Sequence, residues 1–142
     1  MVNDLHNLTF FDIYEKNALY NGKACALHWE NKDTSYAELF SQTASLANGL
    51  KNLNLKAGSR IAVLCRNHPV FFHLFGAASA LNLVLVLINR RLSPDEITYI
   101  IEDTTPSLIF SDKEMGDQAK SLTSSFACLK HFFVVDGEDT HF

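Results

Sequence analysis

The sequence predicts an α/β fold: an N-terminal helix and β-hairpin, followed by a mostly parallel four-stranded sheet with flanking helices. Three observations carry this. From Ile61 onward, short apolar runs alternate with helical patterns, and strands joined by helical crossovers build parallel sheets. Two serine-x-x-glutamate signatures, Ser35 with Glu38 and Ser93 with Glu96, mark helix starts. With 47% hydrophobic and 20% charged residues in 142, the chain can build a core and is no disordered tail.

Taken in order, Thr9 and Asp12 sit three apart before Ile13, Tyr14 and Ala18, which predicts a short capped helix. Ala24 to Trp29 reads as a strand, and Glu30-Asn31-Lys32-Asp33 as the turn of a hairpin. Behind Ser35, the residues Tyr36, Leu39, Phe40, Thr43, Leu46, Ala47, Leu50 and Leu53 recur at spacings of three and four. That is one apolar stripe on an amphipathic helix. Gly58-Ser59 turns the chain into Ile61–Cys65, a run of strand type. Asn67 is placed to cap the next helix, with Pro69 in its first turn.

The stretch Val70 to Ile88 carries no charge and has the length of a bilayer span. Its composition changes half-way, however, from Phe, Ala, Gly and Ser to the unbroken Leu83–Ile88 run. His73, Ser79 and Asn82 are ill suited to lipid. A buried helix and then a buried parallel strand explain the same letters, so no membrane span is expected. Ser93-Pro94-Asp95-Glu96 opens a further helix, with proline at its first position. Pro106 ends that region. Leu108–Phe110 is a third strand, Asp112 opens a weaker helix through Ala119, and Phe132–Val135 is a fourth strand. Residues 1–60 thus form a lead-in of helix, hairpin and long helix, and residues 61–142 a βαβαβαβ portion.

Composition excludes several functions. A net charge of −4 argues against nucleic acid as partner. The three cysteines, Cys25, Cys65 and Cys128, form no CxxC, so neither a zinc ribbon nor a redox pair is available, and reduced, mostly buried thiols in a cytoplasmic protein are expected. Met1 to Glu15 has no lysine or arginine and no long apolar run, unlike a secretion signal. The six glycines are never closer than nine residues. A dinucleotide fingerprint or a Walker loop needs them clustered, so that backbone N–H groups can reach phosphates. No G-x-S-x-G elbow occurs.

The remaining chemistry is sparse. None of the six histidines has i,i+4 spacing, and His68 and His73, which flank a helix start, suit capping or packing better than metal binding. The carboxylate pairs Asp95-Glu96 and Glu102-Asp103 lie at the two ends of one helix, where dipole and solvation roles suffice. Charge is segregated: between Leu39 and Pro94 there are six basic residues and no acidic one. Arg66, Arg90 and Arg91 follow strands, so their gathering at the carboxyl ends of the sheet would face phosphate or an acidic partner. The favoured reading is instead neutralisation within the fold by acidic helices such as Ser93 to Asp103. No catalytic, cofactor-binding or metal-binding residue is assigned.

Thr34-Ser35-Tyr36-Ala37-Glu38-Leu39, Gly58-Ser59-Arg60-Ile61-Ala62-Val63 and Asn89-Arg90-Arg91-Leu92 with Ser93-Pro94-Asp95-Glu96 occur in an order and spacing that resemble the start of an AMP-forming acyl-CoA synthetase. The likeness to this adenylate-forming superfamily covers Thr34 to Asp112 well and the flanks weakly. Leu83 and Leu87 stand where the family usually has Gly and Pro. The resemblance implies the opening portion of the adenylate-forming fold. The family enzyme activates a carboxylate with ATP and Mg to an acyl-adenylate and passes the acyl group to CoA. Its phosphate loop, adenine motif, ribose-binding aspartate, hinge and catalytic lysine would all lie beyond residue 142. On that reading the chain is an N-terminal structural fragment, inactive alone, whose partner is the remainder of the synthetase. Uncovered aromatic surface near Phe132 and Phe133 would favour self-association. The competing reading is a stand-alone flavodoxin-like binding domain. Against it, Cys65-Arg66-Asn67 is not the acidic cluster of a receiver, and the glycine spacing denies a phosphate loop.

Overall fold

The computed structural model describes residues 8–135. His6, Gly137, His141 and the first seven residues of the stretch compared with a secretion signal lie outside them. The described residues form five helices and six strands in two compact units.

The first unit holds the residues up to Asn54 together with His68–Asn82. It contains α1 (Phe10–Asn21), the antiparallel hairpin β1 (Cys25–Trp29) and β2 (Lys32–Ser35), α2 (Tyr36–Lys51) and α3 (Val70–Ala80). Two capping boxes form as the sequence implies. The Thr9 hydroxyl accepts from the Asp12 N–H while the Asp12 carboxylate accepts from the Thr9 N–H, and Ser35 and Glu38 repeat the arrangement. The hairpin turns on Glu30 and Asn31 alone, at φ 47° and 63°. Lys32 and Asp33 are therefore strand residues and not turn residues. Two adjacent left-handed residues match the twist of the flanking strands.

Leu39, Thr43, Leu46, Ala47 and Leu50 of α2 are buried, which is the expected stripe. Leu53 lies beyond the end of the helix. Tyr14, Thr43 and Gly76 bring α1, α2 and α3 into close approach: a Cβ built on Gly76 would sit 2.5 Å from Thr43 Cγ2 and 2.9 Å from the Tyr14 ring. The start of α3 corrects the sequence reading. Its N-cap position is Pro69, and the Val70 N–H donates to His68 Nδ1 at 3.1 Å, so His68 caps the helix and Asn67 does not.

The second unit holds Leu55–Asn67 and the residues from Leu83 onward. Its sheet comprises β3 (Arg60–Leu64), β4 (Val84–Leu87), β5 (Leu108–Ser111) and β6 (His131–Val134), all parallel, in the order β4-β3-β5-β6. In register, Ile61 pairs with Leu85 and Leu108, and Ile109 with Phe132. The helices α4 (Pro94–Thr104) and α5 (Gly116–Ser125) cover one face. There Ala62, Leu64, Ile88, Ile97, Ile101, Ile109, Ala119, Leu122 and Leu129 make one apolar cluster. Burying each of the Leu and Ile side chains among them contributes about 1.5–3 kcal/mol.

Three expectations change here. The strand β4 is parallel but lies at an edge, with Val84 48% and Leu87 50% exposed, so it is not buried on both faces. The last helix begins at Gly116 and runs to Ser125, later and longer than Asp112 to Ala119. Asp112 accepts from the Met115 N–H at 2.9 Å before the helix begins, a local turn that delays it. Finally, Cys25 is exposed, while Cys65 is buried and Cys128 half-buried, so the thiols are not uniformly sequestered. No helix among the described residues is long and apolar enough to cross a membrane.

Candidate functional site

Strand order reverses around β3: the chain steps from β3 to β4 on one side, then to β5 on the other. The carboxyl ends of β3 and β5 at such a switch point are where open α/β sheets place ligands. Here the loops after β4, β3 and β5 lie side by side, and they carry the arginines singled out above.

Arg66, Arg90 and Arg91 are all exposed. Arg90 Nη1 forms an ion pair with Glu114 Oε2, from the loop after β5. Neutralisation within the fold is therefore observed for Arg90, but the acid comes from the loop before α5 and not from α4. Both side chains are part-exposed, at 37% and 61%, and a pair of that kind is worth about 0–1 kcal/mol. The Arg91 N–H donates to Asn89 Oδ1 at 3.0 Å, which fixes the turn out of β4.

The group that organises this end is Asp112, which the sequence reading took only as a helix opener. It is fully buried. Its Oδ2 accepts from the Arg66 N–H at 2.7 Å and its Oδ1 from the Met115 N–H at 2.9 Å. One carboxylate thus ties the loop after β3 to the loop after β5. An Asp directly after an apolar strand was the signal available in the sequence.

Some of the N–H groups at these helix starts are already occupied. At α4 the Ser93 hydroxyl accepts from the Glu96 N–H, while Glu96 Oε2 accepts from the Ser93 N–H and hydroxyl. The Ser93 backbone N–H, and then its hydroxyl, hold the Glu96 carboxyl below its ordinary pKa. At α5, Asp112 accepts from the N–H of Met115, the position just before the first turn. Two carboxylates of the chain itself therefore lie at these helix starts, Glu96 on the Ser93 N–H and Asp112 on the Met115 N–H. The wide glycine spacing adds no cluster of glycines around them.

The other candidates are dispersed. His68 caps α3 and stands edge-on to Trp29, with ring centroids 6.0 Å apart. His73 is buried in α3 with Nδ1 3.4 Å from Thr43 Oγ1, and burial, reinforced by the charge of His68, lowers its pKa to about 4. Asp95, Glu102 and Asp103 are exposed along α4. Among the described residues, no group of three His, Cys, Asp or Glu side chains is placed to hold a metal ion.

One cluster escaped the sequence reading. On the hairpin, His28 Nδ1 lies 2.5 Å from Asp33 Oδ1, and the exposed Cys25 lies beside the same carboxylate. The irregularity between Cys25 and Leu27 alters the strand's alternation at that point, which no period-2 pattern would reveal. Desolvation, and then the charge of Asp33, raise the Cys25 thiol above its ordinary pKa, so it is exposed but held protonated.

Comparison with known proteins gives this scaffold its family. The chain is 29% identical over 133 residues to a long-chain-fatty-acid–CoA ligase of Thermus thermophilus, covering 91% of this chain and 25% of that protein. It is 28% identical over 109 residues to a feruloyl-CoA synthase of an Amycolatopsis species, covering 77% of this chain and 22% of that protein. Among solved structures, the coronafacic acid ligase of Pectobacterium brasiliense superposes with a TM-score of 0.84 at 25% identity, over 94% of this chain and 27% of that one. The chain thus spans about a quarter of the length of the relatives it matches, corresponding to their N-terminal part. The model of the AMP-binding enzyme family matches residues 14–141, which takes in both units, and by that match the chain belongs to the AMP-binding enzyme family.

Proposed function

We propose that this chain is the N-terminal structural part of an ATP-dependent carboxylate–CoA ligase that works through an acyl-adenylate, and that it is inactive alone. The observation that carries this reading is the family match over residues 14–141 in a chain spanning about a quarter of its relatives. The printed activities of those relatives, on long-chain fatty acids and on ferulate, share carboxylate activation but not an acyl group. The acid is accordingly left as the class, a carboxylate taken to its CoA thioester. ATP, Mg and CoA are cofactors of the whole enzyme, and the partner of this chain is the remainder of the ligase. A cytoplasmic location and self-association of the chain by itself complete the proposal.

The test is to extend the reading frame past codon 142 in the source genome and express both lengths. Carboxylate-dependent ATP–pyrophosphate exchange by the longer protein and none by the 142-residue chain is the expected result. A natural stop at codon 142, or a longer protein without exchange, would overturn the reading.

A further inference from the structure

Among the described residues His73 is the one buried histidine, and it lies inside the first unit, on the seam between α2 and α3. Thr43 Oγ1 of α2 stands 3.4 Å from its Nδ1. The methyl group of the same Thr43 meets α3 again at Gly76, three residues on, so both positions belong to the face of α3 that α2 covers. From α1 the Tyr14 ring reaches that face beside Gly76, and the Phe11 N–H donates to Ser79 Oγ at 3.1 Å. The described residues close this seam by themselves.

A proton on this ring would have no compensating charge. From α2 the facing group is Thr43, which does not titrate. From α1 it is Tyr14, whose hydroxyl is pushed up by burial and is neutral in acid. His68, in the turn before α3, adds charge of the same sign. The carboxylates of the unit are engaged elsewhere or exposed: Asp12 and Glu38 in their capping boxes, Asp33 with His28, and Glu15 and Glu30 on the surface. An unpaired charge in such a seam is costly, and hydration of the ring removes the cost.

The element that can yield is α2. Parted from α3, it is a 16-residue helix without packing on that face, and such a helix is marginal in water. The second unit has its own apolar cluster, whose members, from Ala62 to Leu129, all belong to that unit. We propose that the α2–α3 seam is an acid-sensitive device: protonation of His73 parts α2 from α3, while the second unit keeps its core closed. Opening of this kind is a cooperative step smaller than global unfolding. It needs no ligase activity, so it stands or falls apart from the function proposed above.

Amide hydrogen exchange of the 142-residue chain at pH 7 and pH 5, corrected for the intrinsic chemical rate, tests it. With the ring's pKa at about 4 when closed and 6.5 when open, the opening constant of the seam rises roughly 20-fold between those two conditions. Amides from Leu39 to Leu50 should lose protection by that factor, and those of β3 and β5 should keep theirs. His73→Gln, neutral at both pH values, should abolish the difference. Equal loss in both units overturns the proposal, as does unchanged protection in α2 or a pH effect that survives His73→Gln. If that variant does not fold, the wild-type ring decides by NMR. Titration of His73 in step with the loss of α2 protection supports the device, and titration at the ordinary 6.5 with α2 still protected overturns it.

Discussion

Thr105 ends α4 in the left-handed region, at φ 43° and ψ 57°. A β-branched residue there carries a penalty of roughly 1–2 kcal/mol that glycine does not. Thr105→Gly should therefore stabilise the protein by about 1 kcal/mol, read as a rise of roughly 3 °C in thermal midpoint. His73 gives a residue-scale effect of opposite sign. Its folded pKa of about 4 lies below the ordinary 6.5 because burial disfavours the charged ring. Above pH 6.5 both states are neutral and stability is full. Between 6.5 and 4 the unfolded chain takes up a proton that the folded one refuses, so stability falls, and below 4 the loss levels off. The total is on the order of 3 kcal/mol. His73→Leu should flatten urea midpoints measured from pH 7 down to 4.5. An unchanged slope would mean that the imidazole does not govern that window. Asp12, Glu38 and Glu96 act lower, since their capping bonds depress their pKa and their contribution is lost as pH falls through those depressed values.

Between elements, close approach and loop tethering decide stability. Gly76→Ala would force a methyl group against Thr43 Cγ2 and the Tyr14 ring, neither of which is a flexible chain end. Overpacking of that kind costs about 1–3 kcal/mol, and Thr43→Ser, which removes the opposing methyl, should recover part of it in chemical denaturation. Asp112→Ala leaves the Arg66 and Met115 N–H groups without their acceptor. It should cost about 3 kcal/mol, with Asp112→Asn, which keeps one oxygen, costing less. The same comparison shows what was legible in sequence. All three capping boxes formed where hydroxyl and carboxylate stand three apart, because both partners lie within one turn. The start of α3 was not legible, because His68 and Asn67 offer acceptors one position apart and geometry chose the imidazole. Nor was the edge position of β4, since an apolar run has the same letters wherever the strand falls in the sheet order. The tether made by Asp112 joins positions 46 residues apart, beyond the reach of any local pattern.

Across the whole molecule, charge and chain path jointly limit what this chain can bind. The basic middle of the sequence does reach the carboxyl ends of the sheet, through Arg66, Arg90 and Arg91. That placement alone would suit a polyphosphate. The acids that follow in sequence arrive at the same place: Glu114 takes Arg90, Asp112 takes the loop N–H groups, and Glu96 takes the cap of α4. A phosphate entering there would have to displace carboxylates covalently attached to the chain, which compete at high effective concentration. Titration of the 142-residue chain with ATP or with CoA, followed by calorimetry, should therefore show no saturable binding. Glu114→Gln, which frees the Arg90 guanidinium but leaves Asp112 and Glu96 in place, should not create a site, because a part-exposed arginine contributes about 1 kcal/mol or less through solvent-screened attraction. Saturable heat from the wild-type chain would mean that the arginines and not the acids govern this end of the sheet, and nucleotide recognition would then begin within this chain.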